Sequence, residues 1–178
     1  LDNLTNTYIK IKPLINEKKD LLNKTKKLTD KKLKNYQLIK KKLINYIDKM
    51  CLSEECINFF ILKINEINKS LIVPQGNLLK LAQKNGVDRK EFIRAYEKNE
   101  LNPYWSKKQS KESDAWKNFF KNHSKDIKQS NKELSKISND YRLAISELKF
   151  LGDEISSGKY ISETAKKQMI EANLRLVI

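Results

Sequence analysis

The sequence predicts an all-α fold, and three observations carry that expectation. Apolar residues recur at three- and four-residue spacings in segment after segment. No stretch alternates apolar and polar residues at period two for long. Four glycines and three prolines in 178 residues are too few for the many tight turns of a β-rich chain. The length suits one compact domain, or one domain and the start of another, and is enough to bury a core. The expected architecture is an irregular multi-helix domain with a long antiparallel helical hairpin near the N-terminus.

The hairpin comes first in the chain. Leu4, Tyr8, Ile11, Ile15 and Leu22 form one helical stripe, with Pro13 inside it. Either the helix starts near Lys12 with the proline in its first turn, or it is kinked there. The stretch Lys26-Lys-Leu-Thr-Asp30 breaks the stripe, and Thr29 or Asp30 can cap the next helix. Tyr36, Ile39, Leu43, Tyr46 and Met50 then repeat like a heptad seam. The two helices are expected at roughly residues 6–27 and 30–49.

Ser53-Glu-Glu55 reads as a helix start, a hydroxyl cap followed by acids near the positive end of the dipole. Cys56, Phe60, Ile64, Ile67 and Leu71 form its expected buried stripe. Pro74-Gln-Gly76 is expected to interrupt it, with a short helix resuming through Leu78, Leu81 and Ala82. Asn85-Gly86 reads as a C-cap, and Asp88-Arg-Lys-Glu91 as a capping box opening a helix through Phe92, Ile93 and Tyr96.

Asn99 to Trp105 reads as a loop, and Lys107 to Ser113 as a polar, exposed stretch. Trp116, Phe119 and Phe120 return at helical spacing. Trp105 and Trp116 read as a local core tying a loop down; stacking on nucleic-acid bases is the weaker rival. Ser124 is expected to cap a helix to about Asn139, with Ile127, Leu134 and Ile137 inward. Another helix starts at Ser146-Glu147 and is expected to end near Gly158; a last one is capped by Ser162. The signals total eight or nine helices.

The charge is the most conspicuous bulk property: 37 Lys and Arg against 22 Asp and Glu, a net +15. It points toward nucleic acid or another acidic surface. The same excess of Lys, Asn and Ile is also what A/T-rich coding yields. Catalytic signals are missing. Cys51, Cys56 and the lone His123 make no zinc spacing and no disulfide framework, so reduced thiols are expected. His123 suits a surface or capping role. No nucleophile elbow, P-loop or dinucleotide fingerprint stands in the chain, and Glu54-Glu55 and Asp153-Glu154 read as solvated or capping acids. No segment has the apolar length of a membrane span or a signal-peptide pattern. These residues therefore suggest a cytoplasmic, non-enzymatic chain without cofactors, metal, small-molecule ligand or membrane contact.

One stretch says more. Ala165 to Ile178 is an amphipathic helix whose Lys167, Glu171 and Arg175 form a charged stripe and whose apolar run is not followed by any stop signal. The expectation is a piece cut from a longer protein. Glu163 to Ile178, with Glu-Ala-Asn-Leu-Arg-Leu-Val at 171–177, closely resembles the opening of region two of the primary sigma factor of bacterial RNA polymerase. Asn77-Leu-Leu-Lys-Leu-Ala82 and Asn85-Gly-Val-Asp-Arg-Lys-Glu-Phe92 resemble segments of the helical insertion that precedes region two. Glu100 to Trp105 and Trp116 to Phe119 resemble two tryptophan motifs found in some branches of that family. The likeness is weakest before Asn35.

The resemblance implies a helical insertion domain over residues 1–160 and a truncated first helix of region two over 161–178. It implies RNA polymerase core, through the clamp of its largest subunit, and promoter DNA as partners of the full-length protein. Asn173, Arg175 and Leu176 match the motif of a pocket for a flipped-out thymine. Their amide, guanidinium and aliphatic side suit a base edge, a phosphate and a base face. Asn173→Ala should then weaken open-complex formation and spare the fold, whereas Leu174→Asp should bury a charge and damage it. The alternative is a basic helical nucleic-acid-binding or coiled-coil interaction module, which would hold duplex DNA with a steep salt dependence.

Overall fold

The computed structural model describes residues 2–177, with side chains through Arg175. The described residues form α-helices joined by short connections: α1 (Asp2–Asn23), α2 (Asp30–Asp48), α3 (Glu54–Lys84), α4 (Arg89–Tyr96), α5 (Trp105–Gln109), α6 (Asp114–Asn122), α7 (Ser124–Tyr141) and α8 (Ile145–Val177). The all-α expectation holds, and no strand stands among these residues.

α1 and α2 form the expected hairpin. Pro13 lies inside α1, about three turns beyond its start. Leu33, Tyr36, Ile39, Leu43 and Tyr46 of α2 are all half-buried along its seam, while Met50 is exposed beyond it. The hairpin docks on the rest of the chain through polar contacts. Lys18 Nζ donates to Glu147 Oε1 of α8 at 2.5 Å and lies 4.6 Å above the Tyr36 ring, so one side chain joins α1, α2 and α8. Lys19 Nζ donates to Asn139 Oδ1 at 2.7 Å, and Asn23 Nδ2 to Ser138 Oγ at 2.9 Å.

α3 is the spine. It runs unbroken through Pro74-Gln-Gly76, where the sequence suggested an interruption. A proline inside a helix costs about 3 kcal/mol, because it removes one N–H and crowds the preceding turn. Packing offsets this. Pro74 is itself buried, and Leu71 and Leu78, one turn to either side, are buried in two different clusters. The first holds Leu78, Ala82, Phe92, Tyr96 and the two tryptophans. The second holds Ile67, Leu71, Leu134, Ile145 and Leu148. Burying a leucine is worth about 1.5–3 kcal/mol, so two of them hold the helix through the proline.

The expected stripe of α3 is buried only from Ile67 onward. Phe60 is 50% exposed, and Ile57, Phe59 and Leu62 are exposed with it. No described element packs over these first turns, which is why the pattern did not become core.

The aromatic cluster is tight. Trp116 is fully buried, its ring stacked 5.9 Å from Phe92 and edge-on 5.8 Å from Trp105, which is itself 6% exposed. Neither tryptophan offers a face to a base, so the local-core reading stands. The stretch 107–113 is only partly the exposed segment expected: Trp105–Gln109 forms α5, and Gln109 is buried, donating to Glu112 Oε2 at 2.7 Å.

Helix ends follow recognisable chemistry. Ser53 Oγ accepts from Cys56 N at 3.3 Å, and Asp88 Oδ2 accepts from Lys90 N and Glu91 N. Those bonds hold the Asp88 carboxyl below its usual range. Thr29 occupies the cap position of α2, without a side-chain cap bond. At α7 the cap position belongs to His123, not Ser124; the His123 ring lies 3.1 Å from Asp126 Oδ2. At the end of α3, Gly86 N donates to Gln83 O and Val87 N to Ala82 O, with Gly86 at φ +86°. α1 closes in the same way, Thr25 N to Leu22 O and Lys26 N to Leu21 O, but with Thr25 at φ +58°.

Candidate nucleic-acid interface

α8 carries every residue for which the sequence suggested a ligand, so its anchoring decides how they are presented. Its first turns are fixed firmly. Ile145 and Leu148 are buried. Lys149 Nζ donates at 2.5 Å to Glu100 Oε1, a carboxylate that is almost wholly buried. Gly152 lies directly on Asn68 of α3, and a Cβ added there would fall 1.3 Å from Asn68 Nδ2. The glycine is what permits the close approach of α3 and α8. A recess of about 670 Å³ opens beside this contact, lined by Leu62, Asn65, Ile72, Asp153 and Ser156 among others.

Beyond the recess the helix continues instead of stopping. The expected end near Gly158 and the fresh start at Ser162 do not occur; α8 runs to Val177 without a break. A single glycine in a helix costs only about 1 kcal/mol relative to alanine, and most residues from Glu163 to Leu176 are strong helix formers. Thr164 Oγ1 donates to Tyr160 O at 2.8 Å, and Lys159 pairs with Glu163 at 3.7 Å.

From Ser156 to Arg175 every side chain is exposed except the half-buried Thr164. Tyr160, Ile161, Met169, Ile170 and Leu174 thus stand in solvent along this stretch. Leu174 is 57% exposed, so an aspartate there would not be buried within this chain.

Asn173 and Arg175 are both exposed on the last turns. Leu176 belongs to α8 by its backbone, but its side chain lies outside the described residues. Successive residues of a helix are set about 100° apart. Asn173 and Leu176 are therefore neighbours on one face, separated by about 60°, while Arg175 starts from the far flank of Asn173. The Arg175 guanidinium would reach a ligand held at Asn173 only by the length of its side chain. From Gly152 to Asn173 the helix rises about 32 Å, so these groups stand well away from the cores that anchor α8.

The described residues hold no group of three or more His, Cys, Asp or Glu close enough to bind a metal ion. No described helix is long and apolar enough to cross a membrane. Cys51 and Cys56 are both free thiols. The most perturbed titrating group is Tyr96. Burial drives its hydroxyl far above the ordinary phenol range, the Glu100 charge adds to the rise, and the nearby Ser130 hydroxyl offsets a little. Tyr96 Oη and Ser130 Oγ are nevertheless out of hydrogen-bond geometry and unpaired. A phenol held neutral inside an aromatic cluster is structural and makes no acid or base at a surface.

Comparison with known proteins agrees with the sequence likeness. The chain is 30% identical over 92 residues to the RNA polymerase sigma factor RpoD of Neisseria gonorrhoeae, a match covering 52% of this chain and 14% of that protein. The family described as the non-essential region of sigma-70 matches residues 2–138, from the start of α1 almost to the end of α7. This span covers most of the chain and both buried clusters' α3 and α7 residues, and so the chain belongs to the sigma-70 non-essential region family.

Proposed function

We propose that this chain is the insertion of a primary sigma factor joined to the start of its region two, and that it serves transcription initiation by binding, not catalysis. Residues 1–160 act as scaffold and contact surface for the clamp of the polymerase core. Residues 161–178 lead into the promoter-reading part of the full-length, cytoplasmic protein. There Asn173, Arg175 and Leu176 help to hold a base flipped out of the promoter.

The observation that carries this reading is the continuity of α8. One helix is locked at its base to the insertion by Gly152 on Asn68 and by Lys149 on Glu100, and carries the 171–177 motif at its other end, exposed from Glu171 to Arg175. A rigid helix transmits position, so the insertion sets where the motif stands. The test is a pull-down of the full-length parent with purified core polymerase. Retention that depends on the parent sigma factor supports the proposal, and absence of binding sinks it.

A further inference from the structure

The lysine excess is not spread evenly over the surface. Between Lys24 and Lys49 the chain places ten lysines against two aspartates. All ten are exposed. Among the described residues only Lys32 of these has an ion-pair partner, Glu17 of α1 at 2.6 Å.

Helix geometry sorts them further. The seam of α2, Leu33, Tyr36, Ile39, Leu43 and Tyr46, faces α1. Lys31, Lys34, Lys41, Lys42 and Lys49 fall within an arc of about 100° on the opposite side. Between them lie Leu38 and the amide Asn45. The acids of α2, Asp30 and Asp48, stand at its two ends. The result is a straight cationic stripe about 27 Å long, without a carboxylate along its middle.

We propose that this stripe is a docking surface for the phosphate backbone of duplex DNA, bound without regard to sequence. The chemistry favours that partner over others. Lysine ammonium groups are mobile point charges suited to phosphate, and B-DNA carries one charge per about 1.7 Å of its axis, so a 27 Å rod meets many of them. The stripe has no aromatic side chain, because Tyr36 and Tyr46 are turned into the seam; it therefore lacks the stacking platforms of a single-strand groove. It also lacks the aromatic or arginine anchors that dominate protein–protein contacts. The proposal rests on the promoter-directed reading only for the source of the duplex; the contact itself belongs to this chain.

The test is binding of this chain to a fluorescent 20-base-pair duplex of arbitrary sequence between 50 and 200 mM salt. Five phosphate contacts give a slope of log affinity against log salt near −4.5 from this surface, a loss of about 500-fold over that range. Replacing four lysines in the variant Lys31→Gln, Lys34→Gln, Lys41→Gln, Lys42→Gln should lower the slope by about 3.6 while circular dichroism stays unchanged. An equal charge change on α7, through Lys125→Gln, Lys128→Gln, Lys132→Gln and Lys136→Gln, should lower it by less than about one. Equal effects of the two variants overturn the proposal, since the binding would then follow net charge alone. Tighter binding to polyglutamate than to the duplex at equal salt overturns it too, in favour of an acidic protein. Either failure leaves the polymerase pull-down, and the reading it tests, untouched.

Discussion

The indole Nε1 of Trp116 donates its hydrogen bond to Glu91 Oε1, so the third residue of α4 is tied to the third residue of α6. In a complete capping box that glutamate would turn back to the backbone N–H of the cap residue. Here Asp88 still accepts from the first turn, but Glu91 is diverted to satisfy the one polar atom of the most buried tryptophan.

Glu91→Ala should therefore leave a buried indole N–H unpaired, at a cost of about 1–3 kcal/mol. Glu91→Gln keeps an acceptor and should remain close to the parent chain. Thermal unfolding followed by tryptophan fluorescence distinguishes the two. Equal melting temperatures for both variants would show that the contact contributes nothing.

The contact of Gly152 with Asn68 leads to a second expectation. Gly152→Ala should push α8 from α3 and lower stability by about 1–3 kcal/mol, the usual range for overpacking. Adding Asn68→Ala removes the atoms in the way and should recover most of that loss. A double variant as unstable as the single one would place the strain elsewhere. Chemical denaturation with linear extrapolation supplies the measurement.

Lys18 links α1, α2 and α8. Burial alone would lower its pKa, but the hydrogen bond and charge of Glu147, with a smaller contribution from Tyr36, raise it above the ordinary value of 10.5. A group with a raised folded pKa contributes stability below its unfolded pKa and loses it as pH rises through the folded one. Hairpin docking should thus be constant through neutral pH and weaken above about pH 10.5. Lys18→Met should cost about 1–2 kcal/mol at pH 8 and flatten that alkaline loss. An unfolding free energy measured at several pH values reads both.

Thr25 holds φ +58° at the end of α1, a conformation that β-branched residues rarely adopt. Thr25→Gly should stabilise the chain by about 1 kcal/mol, because the left-handed conformation costs a side-chain-bearing residue roughly that much. A lower melting temperature would mean that the Thr25 hydroxyl, which donates to Lys24 O at 2.7 Å, matters more than the strain.

Asn173 is exposed, so Asn173→Ala should leave the melting temperature of this chain unchanged and, in the full-length parent, weaken open-complex formation. Leu174→Asp should also spare this chain, since Leu174 is exposed within it. If Leu174→Asp unfolds the parent while Asn173→Ala does not, another part of the parent covers this face. Equal unfolding by both would make Asn173 a structural residue.

The hairpin, the α3 and α4 caps, the aromatic cluster and the motif at 171–177 were legible because their signals are local. Three- and four-residue spacing, a hydroxyl or carboxylate before a helix, and Asn85-Gly86 after one each act within a single turn. Glycine at φ +86° was predictable, but Thr25, Cys51, Lys98 and Arg142 also take positive φ, and no side-chain preference announces them. Proline and glycine misled twice. At Pro74 the burial of Leu71 and Leu78 outweighs a lost hydrogen bond, and at Gly158 the cost is too small to end a helix of good formers.

The sequence by itself determined the helices' type, most of their starts, and the kinship of the chain, since propensity, capping and motif are properties of neighbours along the backbone. Tertiary structure decided which apolar stripes became core and which helices ran on. It turned the first turns of α3 and the last turns of α8 outward, paired Glu91 with Trp116, and set Gly152 against Asn68. Those outcomes depend on which surfaces meet, and burial free energy is realised only where a second element arrives to exclude water.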